Sequence, residues 1–210
     1  MNARLRAVRL APLWLAACLL ATAISTDTHA QAPGRDSARI GAVGRASDGR
    51  AALNQAAGTG NAQANLAAIA TAPDGLALTA TRARQRVDFD PGAAQRAAST
   101  RIETHAFADH AGLLQLNQSA GAGNAQLNAF DLARGASTAT IAGLDDSALA
   151  NVAADTAAIA PTQAAHAPRE ALIADDAFRG GQGVLQLNQT AGTGNASVNA
   201  IVLRLPGGVP

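Results

Sequence analysis

The chain of 210 residues contains no Tyr and no Lys, and it has one Cys, one Trp and four Phe. Every one of its 16 basic residues is therefore Arg. Without Lys there is neither a Schiff-base amine nor the lysine of a phosphate-binding loop. Cys18 and Trp14 both lie in the first 30 residues, so no disulfide can brace the remainder of the chain. Large apolar side chains are also scarce. From Gln31 onward there are 16 Leu, 7 Ile, 7 Val and 4 Phe, or 34 of 180 residues. That share is near the level at which compact cores become hard to build, and the 56 Ala add little, because a methyl group gains little on burial. An enzyme with an ordinary close-packed core is not expected. Charge is balanced, with 16 Arg against 15 acids. With no basic stripe, nucleic-acid binding is not expected.

The N-terminus reads as a targeting segment. Met1 to Arg9 is short and basic, Leu10 to Ile24 is apolar but for Pro12 and Thr22, and Thr28-His29-Ala30 places small residues where a signal peptidase reads. Residues 1–30 are thus expected to be a signal peptide, with export to the cell surface or beyond by way of the periplasm. Leu15-Ala16-Ala17-Cys18 also fits a lipobox, which would instead make Cys18 a lipidated N-terminus. No later apolar run is long enough to span a membrane as a helix.

What is abundant is repetition. Leu53 to Asn65, Leu116 to Asn128 and Leu187 to Asn199 share the pattern L-N-Q-x-A-G-x-G-N-A-x-x-N. Nine of the ten Asn after residue 30 occupy its three Asn positions, and Asn151 alone lies elsewhere. Gly49, Gly112 and Gly183 each precede the first Asn by five residues. Phe107 and Phe178 precede it by ten, where the first copy has Gly44. Copies two and three share Leu-Gln-Leu before Asn117 and Asn188, whereas copy one has Ala51-Ala52-Leu53 and is the degenerate member.

Within a copy, Leu114-Gln115-Leu116-Asn117-Gln118 alternates apolar and amide side chains with the period of a strand. Ala120-Gly121-Ala122-Gly123-Asn124 then supplies the residues of a tight reversal, and Ala125-Gln126-Leu127-Asn128-Ala129-Phe130 resumes the alternation. Each copy is expected to be strand–turn–strand, with Gly58, Gly60, Gly121, Gly123, Gly192 and Gly194 as turn glycines and Leu114, Leu116 and Leu127 sharing an interior. Two strands alone are marginal in water. Copies stacked at the strand spacing of about 4.8 Å would align identical amides, each carrying donors and an acceptor, into hydrogen-bond ladders. No charge lies between Leu114 and Phe130 to oppose such a stack.

The expected fold is therefore mostly β. Three strand–turn–strand repeats stack as a β-solenoid or cross-β unit, joined by long spacers that are partly disordered or helical. The divisions are an N-terminal segment 31–43, repeat 44–70, spacer 71–104, repeat 105–130, spacer 131–175, repeat 176–203 and a tail 204–210. A helical alternative applies to Ala62–Ala72, which is rich in the best helix former. Ala148–Ala160 and Pro168–Ala177 are further candidates for short helices.

Other motifs carry little chemistry. The Gly-x-Gly pairs lack a third glycine and precede strand-like segments, so turns are expected rather than a nucleotide site. His105, Asp109 and His110 read as solvated polar residues rather than metal ligands. Asp145-Asp146, Asp175-Asp176 and Asp88-x-Asp90 read as loop charges. Arg82-x-Arg84-x-Arg86, if extended, puts three cations on one face, either to discourage wrong edge pairing or to bind an anionic polysaccharide. No catalytic residue, cofactor or metal is expected.

The run Asn54-Gln55-Ala56-Ala57-Gly58-Thr59-Gly60-Asn61-Ala62-Gln63-Ala64-Asn65 and its Ala-rich continuation resemble the repeat of the Fap functional-amyloid subunits, and more distantly that of curli. The resemblance implies amyloid-core roles for Asn54, Gln55, Asn61, Gln63 and Asn65, for Asn117, Gln118, Asn124, Gln126 and Asn128, and for Asn188, Gln189, Asn195 and Asn199. Ser197 departs from the pattern by replacing its Gln, and the Cys-x-x-Cys associated with the major subunit is missing from the C-terminus. The implied function is a secreted structural protein forming cell-surface fibres for adhesion and biofilm matrix. Its partners would be itself, sibling repeat proteins and an outer-membrane secretion channel. A minor subunit that nucleates or caps a related fibre, and a monomeric β-solenoid adhesin, are the alternatives.

Overall fold

The computed structural model describes residues 34–87, 95–142 and 167–206, all within one compact unit, Ala32–Pro210. It contains nine strands in chain order. They are β1 (Arg35–Ile40), β2 (Asp48–Ala57), β3 (Ala62–Thr81), β4 (Ala97–Ile102), β5 (Ala111–Ala120), β6 (Ala125–Ala142), β7 (Arg169–Ile173), β8 (Gln182–Ala191) and β9 (Ala196–Pro206). They form three parallel sheets of three strands, ordered β1-β4-β7, β2-β5-β8 and β3-β6-β9. Each sheet takes one strand from each copy. Register is unbroken in the middle sheet, where Asn54 pairs with Asn117 and Asn117 with Asn188.

Every copy thus contributes a strand that its repeat motif did not reveal. β1, β4 and β7 precede the motifs, in segments read as the N-terminal stretch and the two spacers. Their alternation places Asp36, Ala38 and Ile40 inward, and likewise Ala98, Thr100 and Ile102. Ile40 and Ile102 join Phe107, Leu114 and Leu116 in the main core cluster, with Leu53, Phe178 and Leu187 packed against it. A smaller cluster of Ala38, Ala98 and Ala120 continues it, and the methyl side chains suit the close approach of two sheets.

The middle sheet is covered on both faces, as parallel sheets require. Gln118 reaches the carbonyls of Ala38 and Arg101 on one side, and Asn117 reaches that of Ala64 on the other. Leu127 is buried but lies outside the cluster of Leu114 and Leu116. It alternates with Gln126 and Asn128, which face the middle sheet, and so points to the opposite face of β6.

That outer face is covered by the chain itself. The β3–β6 register shifts between Ala72 and Leu76, and the strand doubles back. Thr81 Oγ1 then donates to Asp131 Oδ2 at 2.8 Å, and Gln85 Nε2 to the carbonyl of Gln126 at 3.0 Å. Arg82, Arg84 and Arg86 alternate with these contacts and are all exposed.

No helix occurs among the described residues, which corrects the helical alternatives at two places. Ala62–Ala72 lies in β3, where the pairing Ala62 to Ala125 onward overrides alanine's preference. Residues 169–173 form β7, held by Ala98 to Ile102 of β4. Residues 148–160 lie outside the described residues, as do Asp88, Asp90, Asp145 and Asp146.

The column Ile40, Ile102 and Ile173 shows how burial varies with layer. Ile102 is 0% exposed and Ile173 46% exposed. Ile102→Ala is expected to cost about 3 kcal/mol, within the usual range for a buried truncation, and Ile173→Ala less than about 1 kcal/mol in the single chain. Urea midpoints of the two variants, compared at equal slope, check the difference.

Candidate functional site

The amides of the three motifs are brought together as columns, one residue from each copy. Asn117 Nδ2 donates to Asn54 Oδ1 at 2.9 Å, and Asn188 Nδ2 to Asn117 Oδ1 at 2.9 Å. Asn128 donates to Asn65 at 2.9 Å and Asn199 to Asn128 at 3.0 Å. At the turn, Asn124 donates to Asn61 at 2.9 Å and Asn195 to Asn124 at 2.7 Å. On the other face Gln118 donates to Gln55 at 2.9 Å and Gln189 to Gln118 at 3.0 Å.

The first two columns are cross-linked. Asn65 Nδ2 donates to Asn54 Oδ1, Asn117 to Asn65, Asn128 to Asn117, Asn188 to Asn128 and Asn199 to Asn188, all between 2.9 and 3.1 Å. The result is a zigzag of six amides between the middle sheet and the β3-β6-β9 sheet. Within it the amides also reach main-chain carbonyls, as Asn128 does at Leu116 and Asn199 at Leu187. Asn117, Asn124, Asn128, Gln118 and Gln126 of the central copy are fully buried. A buried amide costs stability unless paired, and here the pairing is extensive.

The fifth column departs where the sequence departs. Gln63 Nε2 donates to Gln126 Oε1 at 2.7 Å, the reverse direction. Ser197 is too short to continue the row and donates to Asn188 Oδ1 instead, while Gln126 finds Thr190 Oγ1 at 3.2 Å.

The six turn glycines all have positive φ, from 64° to 139°. The close approach of copies matters more than the dihedral. A Cβ on Gly121 would lie 2.0 Å from the carbonyl oxygen of Gly192, and one on Gly58 2.1 Å from that of Gly121. The upstream glycines behave alike in the opposite sense. A Cβ on Gly183 would meet the oxygen of Gly112 at 2.2 Å, and one on Gly112 that of Gly49 at 2.1 Å. A Cβ on Gly49, in the outermost copy, meets nothing within 4 Å.

Sequence reasoning left several contributors out of the site. Gln115 and Gln186 form a sixth row, with Gln115 Nε2 donating to Gln186 Oε1 at 2.8 Å. The shared Leu-Gln-Leu was the signal for it. Ala52 cannot extend that row, and Arg50 ends it by donating from Nε and Nη2 to Gln115 Oε1. Gly44 interrupts the phenyl column in the same way. Phe107 and Phe178 stack at 6.2 Å and 9°, and the Phe107 ring takes the space a side chain at Gly44 would need. Arg96 pairs with the buried Asp36, and Arg39 with Glu103 at 2.7 Å.

The remaining candidates are dispersed. His105 Nδ1 lies 3.1 Å from Asp176 Oδ2, whereas His110 is buried against Ser47. Among the described residues no three His, Cys, Asp or Glu side chains gather as a metal site, and no helix is long and apolar enough to cross a membrane.

In four of the rows every link runs the same way, from the later copy to the earlier. The copy-three end is left with the side-chain oxygens of Gln189, Asn195 and Asn199, and the copy-one end with the amide of Asn54. Both ends are open edges of parallel sheets, formed by β1, β2 and β3 at one end and β7, β8 and β9 at the other.

No solved structure matches this chain. The model of the functional amyloid protein FapB/FapC family matches residues 20–206. The chain that builds these amide rows belongs to the FapB/FapC functional amyloid family.

Proposed function

We propose that the protein is an exported structural subunit that polymerises head to tail into cell-surface amyloid fibres serving adhesion and biofilm matrix. The one-way amide rows carry this reading. The rows begin in N–H groups at one end and finish in oxygens at the other. Gln55, Asn61 and Asn65 already donate to carbonyls, but so do the central-copy amides that also reach a row neighbour. Both ends lie on unpaired parallel edges of like register. Such an interface joins unlike surfaces and does not close, so it generates filaments. Each added chain would continue three sheets and four rows at once, as a β-solenoid lengthened by three layers. The motif amides of the three copies would then form the amyloid core. Residues 1–30 would direct export, and an outer-membrane channel would pass the chain to the surface.

A second reading draws on copy one. Arg50 and Ala52 end the Gln115 row and Gly44 ends the phenyl column, so the copy-one end is less regular than the other. This favours a minor subunit that nucleates or caps a sibling fibre.

The test is polymerisation of the purified protein. Fibres with a 4.7–4.8 Å reflection and one chain per about 14 Å, three strand spacings, are expected from diffraction and mass-per-length microscopy. Protein that melts sharply but stays monomeric would overturn the reading in favour of an adhesin. Protein that forms no fibres alone but shortens or lengthens a sibling's lag would favour the accessory role.

A further inference from the structure

We infer that the flank of the molecule carries a binding surface for a linear, carboxylate-bearing polysaccharide, formed by Arg82, Arg84 and Arg86. The three belong to the segment that doubles back over β6. Along it Ala77, Thr79, Thr81 and Gln85 are buried, whereas Leu76, Leu78 and the three arginines are exposed. Alternate residues of an extended chain point to opposite sides, so the arginines form one outward row whose members leave the backbone about 6.7 Å apart. The inward residues pin that row, Thr81 by its bond to Asp131 and Gln85 by its bond to the carbonyl of Gln126. A row fixed in advance has less order to gain when a ligand arrives. β3 ends at Thr81, so the arginines follow the paired stretch and do not guard its edge.

The row has no counterion among the described residues. Arg39 pairs with Glu103 and Arg96 with Asp36, but Arg82, Arg84 and Arg86 make no ion pair or side-chain hydrogen bond with a described residue. The acid nearest before them in sequence is Asp74, at the bend, while Asp88 and Asp90 after them lie outside the described residues. An arginine fork takes a planar carboxylate through two parallel N–H donors, and no Lys occurs in the chain. Forks at even spacing fit a polymer that repeats its carboxylates along an extended backbone. The row has no aromatic ring on which a nucleobase could stack, and a fluid lipid surface gains nothing from fixed spacing. In the head-to-tail fibre, on which this part of the inference rests, the row points sideways and stays uncovered as chains join at the sheet edges. It recurs once per chain, about every 14 Å. Strands run across the fibre axis, so a polymer lying along a row reaches beyond the fibre and ties it to its neighbours.

The test titrates the full chain, before and after polymerisation, with a short sodium polygalacturonate at neutral pH, using calorimetry and co-sedimentation. Neutral dextran is the control. Saturable binding of the polygalacturonate, weakened by added salt, and no binding of dextran are expected. Exposed charge pairs each contribute a factor of a few, so Arg82→Gln, Arg84→Gln and Arg86→Gln together should weaken binding about tenfold or more while the melting temperature is kept. Removing as many exposed charges elsewhere, by Arg45→Gln, Arg101→Gln and Arg134→Gln, should leave binding within about twofold of native. Fibres should hold the polymer at least about tenfold more tightly per chain than the single chain does, because one polymer can engage several rows. Native affinity in the Arg82, Arg84 and Arg86 variant would overturn the assignment, as would an equal loss in the control variant or no saturable binding. Tighter binding of single-stranded DNA, or of phosphatidylglycerol vesicles, would overturn the polysaccharide as occupant. The single chain reports on the row whether or not fibres form. Binding without fibres therefore counts against head-to-tail assembly alone, and fibres that ignore polygalacturonate count against this surface alone.

Discussion

Asn117→Asp is expected to abolish folding and polymerisation at neutral pH. Asn117 is fully buried in the central copy, and its Nδ2 serves the oxygens of Asn54, Ala64 and Asn65 at 2.9–3.0 Å. An oxygen placed there faces three acceptors, and an ionised carboxylate adds a buried charge without a partner. Leaving such a charge costs about 3–5 kcal/mol, a large part of the roughly 5–15 kcal/mol that holds a typical domain together. The variant should also respond to acid in a defined sense. Burial raises the folded-state pKa of the new carboxyl above the value of about 3.9 in the unfolded chain. Stability relative to neutral pH is then recovered as pH falls through the folded-state pKa, and is fully present below the unfolded one. Recovery is partial, because one O–H satisfies one of the three acceptors. Circular dichroism and polymerisation lag at pH 7 and pH 3 read both effects. Polymerisation at the native rate at pH 7 would show that the rows do not hold the assembly.

The second large effect separates folding from assembly. Gly49→Ala should leave the single chain folded yet block growth at one end of a fibre. Nothing lies within 4 Å of the added methyl group in the single chain, so the cost there is that of a positive φ, about 1–2 kcal/mol. In a head-to-tail polymer the methyl group would meet the Gly183 carbonyl of the next chain, as a Cβ on Gly112 meets Gly49 at 2.1 Å. Gly192→Ala should block the opposite end, where the next chain's Gly58 carbonyl arrives. Each variant alone should poison native fibres at substoichiometric amounts, and a mixture of the two should form dimers but no fibres. Sedimentation and seeded growth assays measure this. Fibres of Gly49→Ala extending at the native rate would exclude the proposed junction.

Much of this architecture was legible because the motif repeats its amides at identical spacing. The columns at Asn54, Asn61 and Asn65, and the glycines between strands, follow from the alternation and from the need for tight reversals. The strands β1, β4 and β7 were not legible. β1 and β4 share only Ser-x-Arg-Ile and β7 keeps only its final Ile, so these are short segments whose pairing is decided by the sheet beside them. The doubling back after Ala72 was hidden for the same reason, since only Thr81 and Gln85 meeting Asp131 and Gln126 reveal it. The helical alternative at Ala62–Ala72 fails, and the strand reading holds, because local helix preference is smaller than what a complete parallel neighbour supplies. Arg50 escaped notice because an arginine before a motif reads as a solvated charge. Its role as the end of the Gln115 row depends on Ala52 beside it being too short.

The shared direction of the links in the rows that start at Asn54, Gln55, Asn61 and Asn65 has an electrical consequence. Each amide is a dipole, and four rows of them point along one axis instead of alternating as the main-chain peptides of a strand do. Lengthening the stack adds to this field without changing its sign, so the tip bearing Asn54 is positive and the tip bearing Gln189, Asn195 and Asn199 negative. Two such filaments lying side by side would then prefer opposite orientations.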